Sequence, residues 1–154
     1  MKKVLIALLV LILMVAAIFG AWKVLFDEQP DHALLRTVAA AMLGDEKAFL
    51  DGFTEDSRPL VGAALSLAKG EDMARSPRHP YYYLATENIV STEKDDLENA
   101  RIRVRRPGDD KSPGYDIPMV RVCDQKYLIA GYCLLPTWKI DGKKFDAKKL
   151  DNDR

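Results

Sequence analysis

Few side chains in this sequence have types and spacing that could do chemistry. Cys123 and Cys133 are the only cysteines. They bracket a short segment, and in an exported chain two thiols so close in sequence are expected to oxidise to a structural disulfide. Closing a loop of this size stabilises by roughly 2–3 kcal/mol on a chain-entropy account. Buried free thiols and a redox-active or metal-binding pair are the alternatives, although the spacing is not Cys-x-x-Cys and no histidine lies nearby in sequence. The two histidines, His32 and His79, have no second ligand at helical or hairpin spacing, as a zinc site requires. No phosphate loop, Gly-x-Gly-x-x-Gly, nucleophile elbow or His-Glu-x-x-His occurs. No catalytic residue, metal ligand or cofactor is therefore assigned.

Arg101, Arg103, Arg105 and the adjoining Arg106 carry guanidinium groups along a segment where Ala100, Ile102 and Val104 alternate with them. That alternation is the period-2 mark of a half-buried strand, with the arginines on its outer face. Such a face can bind an anion or an acidic partner. It can equally be a solvated face paired with Asp and Glu of neighbouring strands, such as Glu87 and Asp141. Tyr81, Tyr82 and Tyr83 read as strand and pocket lining, with ligand binding as the alternative.

The elements that must position these groups begin with the N-terminal segment. Val4 to Trp22 is 19 residues without a charge, twelve of them Leu, Ile, Val or Phe. This is long enough to cross a hydrocarbon core of about 30 Å as a helix, and its composition favours insertion by several kcal/mol. Trp22, Lys23 and Phe26 suit the headgroup boundary. Lys2, Lys3 and the terminal amine keep the N-terminus cytoplasmic. A cleaved signal peptide is the competing reading, but its apolar core runs about 7–15 residues and ends in a small-x-small site. Here Ile18 or Phe19 occupies the position that should be small. Residues 1–26 are thus expected to be a single-pass anchor using the bilayer through residues 4–26, with residues 27–147 folding as one domain and 148–154 as a charged tail.

Of the 154 residues, 23 are basic and 23 acidic. Beyond Phe26 the balance falls to 20 basic and 23 acidic, a net of −3, which gives no general attraction to nucleic acid. Residues 27–31 read as a polar connector. Leu34, Leu35, Val38, Ala41 and Met42 recur at helical spacing before Gly44. Asp45 is placed to cap a short helix through Phe49 and Leu50. A third helix begins at Ser57-Arg58-Pro59, with Pro where its missing N–H costs least, and is expected to end at Gly70. Residues 71–80 read as a loop. Strands are expected at Tyr81–Thr92, 100–105, Tyr115–Cys123 with Pro118 breaking or edging it, and Trp138–Gly142. The fold class is α+β: an N-terminal transmembrane helix, then helices packed on a curved antiparallel sheet of about four strands.

This order resembles the nuclear transport factor 2-like superfamily, in which N-terminal helices pack into a strongly curved sheet to form a cone. It resembles in particular the small membrane-anchored bacterial envelope proteins of that type. The residues that carry the likeness are Leu43-Gly44-Asp45, Ala48-Phe49-Leu50 and Trp138-Lys139-Ile140-Asp141-Gly142. The segment from Asp124 to Pro136 departs from the pattern, which usually passes to the Trp strand through a tight turn. It contains Tyr127, Leu128 and Ile129, apolar residues that need covering by the core, a partner or the bilayer surface. Enzymes of the superfamily use Asp, Tyr or His in the cone cavity, and Asp116, Tyr83 and Tyr115 are the nominal counterparts here, with no role transferred. The expected function is a non-enzymatic, membrane-anchored binding or assembly module of the bacterial envelope, sited at the inner membrane with its domain on the periplasmic or extracellular side and a protein partner there. A small-molecule-binding cone or weak enzyme acting on a hydrophobic substrate is one alternative. An accessory subunit of a membrane complex, packing through Ala16, Ala17, Gly20 and Ala21, is another.

Overall fold

The computed structural model describes residues 2–26, 28–72, 75, 76, 79, 81, 82, 84, 88–108, 111, 113–124, 127–129, 132, 133 and 135–144. Among them are four helices, α1 (Lys2–Phe26), α2 (Pro30–Leu43), α3 (Glu46–Asp51) and α4 (Arg58–Leu67). Six strands follow: β1 (Asn88–Lys94), β2 (Asn99–Arg105), β3 (Tyr115–Cys123), β4 (Leu128–Ile129), β5 (Tyr132–Cys133) and β6 (Pro136–Ile140). The fold is α+β, with helices preceding an antiparallel sheet of order β1-β2-β3-β6 and a separate hairpin β4-β5.

In α1 the side chains of Ile6, residues 8–18, Gly20 and Ala21 are described. Within the described residues, no helix is long and apolar enough to cross a membrane. The transmembrane reading therefore rests on the sequence of Val4–Trp22.

The helix boundaries follow local chemistry. Pro30 opens α2, where its lack of an N–H is harmless. Gly44 closes it in the left-handed region at φ 68°, donating to the Ala40 and Ala41 carbonyls. The next residue, Asp45, starts α3, its carboxylate accepting from the Ala48 N–H at 3.0 Å. Gly52 then passes directly over α2: a Cβ there would run into the side chain of Thr37. The α4 helix ends at Leu67, a turn earlier than the expected stop at Gly70.

Two strand expectations need correction. The sheet's first strand begins at Asn88, not Tyr81. The Tyr82 N–H bonds the His79 carbonyl and the Leu84 N–H bonds that of Tyr81, so the described residues of this stretch are turn or helix rather than extended, and Tyr81 and Leu84 are buried in the core. Strand β3 runs unbroken through Pro118. The register Met119↔Ile140 places Pro118 opposite Asp141, whose N–H donates to the Pro118 carbonyl at 2.9 Å. The missing proline N–H thus falls just past the end of β6 and costs the ladder nothing inside it.

The sheet curls around a core built from both layers. Ala33, Leu34, Thr37, Ala40 and Ala41 of α2, Phe49 of α3, and Val61 and Leu65 of α4 meet Ala100, Ile102, Val104, Ile117, Met119, Trp138 and Ile140. Phe53 joins the sheet itself: the Ile140 N–H donates to the Gly52 carbonyl at 2.8 Å, and the Thr54 N–H to the Ile140 carbonyl at 3.0 Å. The sulfurs of Cys123 and Cys133 are bonded, with Cα atoms 5.8 Å apart, inside the usual range.

Candidate functional site

A cone that binds a small molecule needs an open interior. Here the concave side of the sheet is occupied by protein. Phe49, Phe53 and Tyr81 stack edge-on with ring centroids 5.1–5.9 Å apart, a geometry that favours aromatic pairs. Phe53 and Ile140 are fully buried beside Ile102 and Met119. Burial raises the Tyr81 phenol pKa. His79, at the edge of this cluster, is buried and kept towards neutrality by desolvation, against the pull of Glu71, Asp72 and Glu46. Its Nδ1 accepts from the Tyr81 N–H at 3.2 Å, so one ring nitrogen is engaged structurally. Asp116 is not in this interior: it lies on the outer face. Tyr115 is half-buried against the core, and Tyr83 lies outside the described residues. No group of three His, Cys, Asp or Glu among the described residues could hold a metal ion.

The arginine face is internally paired. The Arg103 guanidinium donates twice to Asp116, across the β2–β3 register, at 2.8 and 3.0 Å. Arg101 grips Asp95 through Nε and Nη2, at 2.7 Å for the shortest contact, with Glu93 at 3.8 Å. The hydrogen bonds from Arg103 hold the Asp116 carboxyl below the usual carboxylate range. Of the two acidic partners named from the sequence, only Asp141 is among the described residues. Asp141 pairs with Lys144 at 3.3 Å, and Glu87 lies outside the described residues. Arg105 and Arg106 are half-buried rather than displayed to solvent.

The 124–136 insertion forms one wall of an open cleft of about 800 Å³. Tyr127 and Leu135 line one side with Val122, Thr137 and Lys139 of the strands, Arg36, Asp51 and Arg58 come from the helices, and Glu55 from the α3–α4 turn. Arg58 reaches Asp51 at 3.2 Å. Burial, reinforced by Arg58, lowers the Lys139 ammonium pKa. The cleft is polar and balanced in charge, which suits a peptide-like partner better than an apolar substrate. Leu128 stays exposed on the hairpin beside it, and the Ile129 side chain lies outside those described.

One cluster has no precedent in the sequence reading. Lys94 closes β1, and its register partner Ala100 is buried, so its side chain leaves from the concave face. Its Nζ lies 6.0 Å from the Trp138 ring centre and 2.8 Å from Gln29 Oε1. Strands β1 and β6 are three spacings apart, about 14 Å along the sheet, so only a strongly curled sheet allows this contact. On the same side Glu28 pairs with Arg36 and accepts the Trp138 N–H at 3.3 Å. The free edge of β6 is thereby covered: Pro136 has no N–H, Trp138 donates to Glu28, and Ile140 donates to Gly52. Residues 28 and 29, expected to belong to a short polar connector, are bonded to Trp138 and Lys94 of the sheet. Their partners lie 110 and 65 positions away, beyond any local sequence signal.

No family model, curated protein or solved structure matches this chain.

Proposed function

We propose that this protein is a membrane-anchored, non-enzymatic binding or assembly module of the bacterial cell envelope, built on a cone of the nuclear transport factor 2-like type. The observation that carries the reading is the surface of α1. Every described Leu, Ile, Val and Met along it is exposed, from Ile6 at 62% to Ile18 at 66%, with no face covered by the domain. A helix whose described side chains are apolar on every side and exposed needs another apolar medium, and a bilayer supplies one. The charge pattern at its start favours a cytoplasmic N-terminus and an exported domain, where the Cys123–Cys133 disulfide is chemically at home.

Among the described residues, the packed Phe49, Phe53 and Tyr81 rings favour binding at the surface over a small molecule held inside the fold. The cleft walled by the cystine loop is the surface offered to a protein partner. A second reading, an accessory subunit of a membrane complex, draws on Gly20, beside which a Cβ would meet nothing within 4 Å. Close approach of another membrane helix there is sterically free.

Alkaline extraction of membranes together with C-terminal reporter fusions tests the placement. The protein is expected to resist extraction, with an alkaline-phosphatase fusion active and a fluorescent fusion that requires the cytosol dark. Release of the full chain by carbonate, or the opposite reporter pattern, overturns it.

A further inference from the structure

The geometry points to a specific end of the domain resting on lipid: the end bearing the β1–β2 turn and the disulfide-closed hairpin β4-β5 lies against the bilayer surface, with Leu97 and Leu128 as its contacts. The inference rests on the membrane-anchored reading and adds which surface the anchor presents to lipid.

Strand direction fixes the two ends of the sheet. The β1–β2 turn, Cys123 and Pro136 lie towards one end, while Asn88, Arg105 and Tyr115 lie at the other; the strands are staggered, so that Lys94 is level with Ala100, Met119 and Ile140. The chain enters from α1 in the half of the sheet nearer the first end, because Gln29 is bonded to Lys94 and Glu28 to the backbone of Trp138. Phe26 closes α1, so a single residue separates the helix from a pinned one. The two steps from Phe26 to Glu28 span at most about 7 Å, about the depth of one headgroup layer. The 25 residues of α1 rise about 37 Å as a helix, exceeding the hydrocarbon thickness by only a few ångströms. The domain cannot stand off from the membrane on a tether.

Two large apolar side chains are unsheltered at that same end. Leu97, at the tip of the β1–β2 turn, is 82% exposed, and Leu128, on the cystine hairpin, is 51% exposed. Each sits on a restrained scaffold. The Asp96 carboxylate accepts the N–H groups of Glu98 and Asn99, both at 2.7 Å, and fixes the turn. The Cys123–Cys133 bond closes the hairpin. Rigid apolar tips held within a few ångströms of a bilayer enter the headgroup–acyl boundary at little entropic cost.

Charge does not drive this contact. Asp95 is matched by Arg101 and Glu28 by Arg36, and at the turn tip Asp96 and Glu98 flank Leu97 and repel anionic headgroups. The contact is apolar and gains nothing from anionic lipid.

The test uses the full-length protein, disulfide intact, reconstituted in phosphatidylcholine vesicles. Single nitroxide labels are placed through Leu97→Cys, Leu128→Cys and, at the opposite end, Lys111→Cys, each confirmed by mass spectrometry to carry one label and the native Cys123–Cys133 bond. Relaxation by membrane-soluble oxygen relative to a water-soluble nickel chelate is expected to be several-fold higher at 97 and 128 than at 111, and no higher with added phosphatidylglycerol. Vesicle flotation is scored on the same samples. Co-flotation with labels at 97 and 128 as water-accessible as that at 111 overturns the inference and spares the anchor. Failure to float overturns both. A contact that appears only with phosphatidylglycerol overturns the apolar mechanism proposed for it.

Discussion

Glu28 does two jobs with one carboxylate. It neutralises Arg36 and supplies the acceptor that the edge of β6 lacks at Trp138. A backbone N–H on an open sheet edge is a site for unwanted pairing when left bare, and one screened from water costs about 1–3 kcal/mol when unpaired. The two jobs separate by substitution. Glu28→Gln keeps an acceptor and removes the charge, whereas Glu28→Ala removes both. The expected order of urea midpoints followed by tryptophan fluorescence is native above Glu28→Gln above Glu28→Ala, with roughly 1 kcal/mol lost in the last. Equal midpoints for all three proteins would mean that Glu28 contributes nothing to the edge. The sequence shows why this residue was passed over. Asp27-Glu28-Gln29 follows an apolar run and precedes Pro30, as a solvated connector does, and only the closed fold brings Glu28 to β6 and Gln29 to β1. The arginines of β2 pose the opposite problem. Their alternation is visible in the sequence, but whether they are free or paired depends on Asp95 and Asp116, which the register brings alongside.

At the scale of elements, the cystine hairpin is the part whose removal has the clearest consequence. Cys123 ends β3 and Cys133 lies on β5, ten positions on, with Tyr127 between them forming part of the cleft wall. Cutting the bond by reduction, or by Cys123→Ser with Cys133→Ser, frees a loop whose closure is worth about 2–3 kcal/mol. The expected result is a drop of that size in unfolding free energy with an unchanged β-sheet signal in circular dichroism. Two alkylatable thiols in non-reduced, exported protein would contradict the bond itself. This bond was legible because cysteine spacing and compartment bear directly on pairing. So were the Gly44-Asp45 step, where a left-handed residue and a side-chain cap act locally, and the in–out pattern of β2. The stretch 81–84 misled because Tyr has high strand propensity, and burial won: Tyr81 is drawn among Phe49 and Phe53 instead of into a ladder. Pro118 misled differently, since the position of its missing N–H relative to β6 is a matter of register that no single segment encodes.

Over the whole molecule, labour divides sharply at residue 27. Every buried hydrophobic residue of the described core lies between Ala33 and Ile140, and none of the described side chains of α1 belongs to it. The β6 edge is finished by groups from residue 28 onward, and Gln29 ties the chain to Lys94 of β1. The filled aromatic interior, the closed β6 edge and the cystine loop supply a core of ordinary size for a single domain. The domain should therefore fold without its helix. A fragment of residues 28–154, produced in an oxidising compartment, is expected to be water-soluble and to unfold cooperatively in urea. Its midpoint should lie close to that of the domain transition of the full chain in detergent, since no packing has been removed. The contrast lies in solubility: the full chain carries exposed Leu, Ile and Val from Ile6 to Ile18 and requires detergent or lipid, while the fragment requires neither. A fragment with native-like secondary structure but no cooperative transition would show that α1 completes the fold. The helix would then be a structural element of the domain, and its bare apolar surface would need a protein explanation in place of a lipid one.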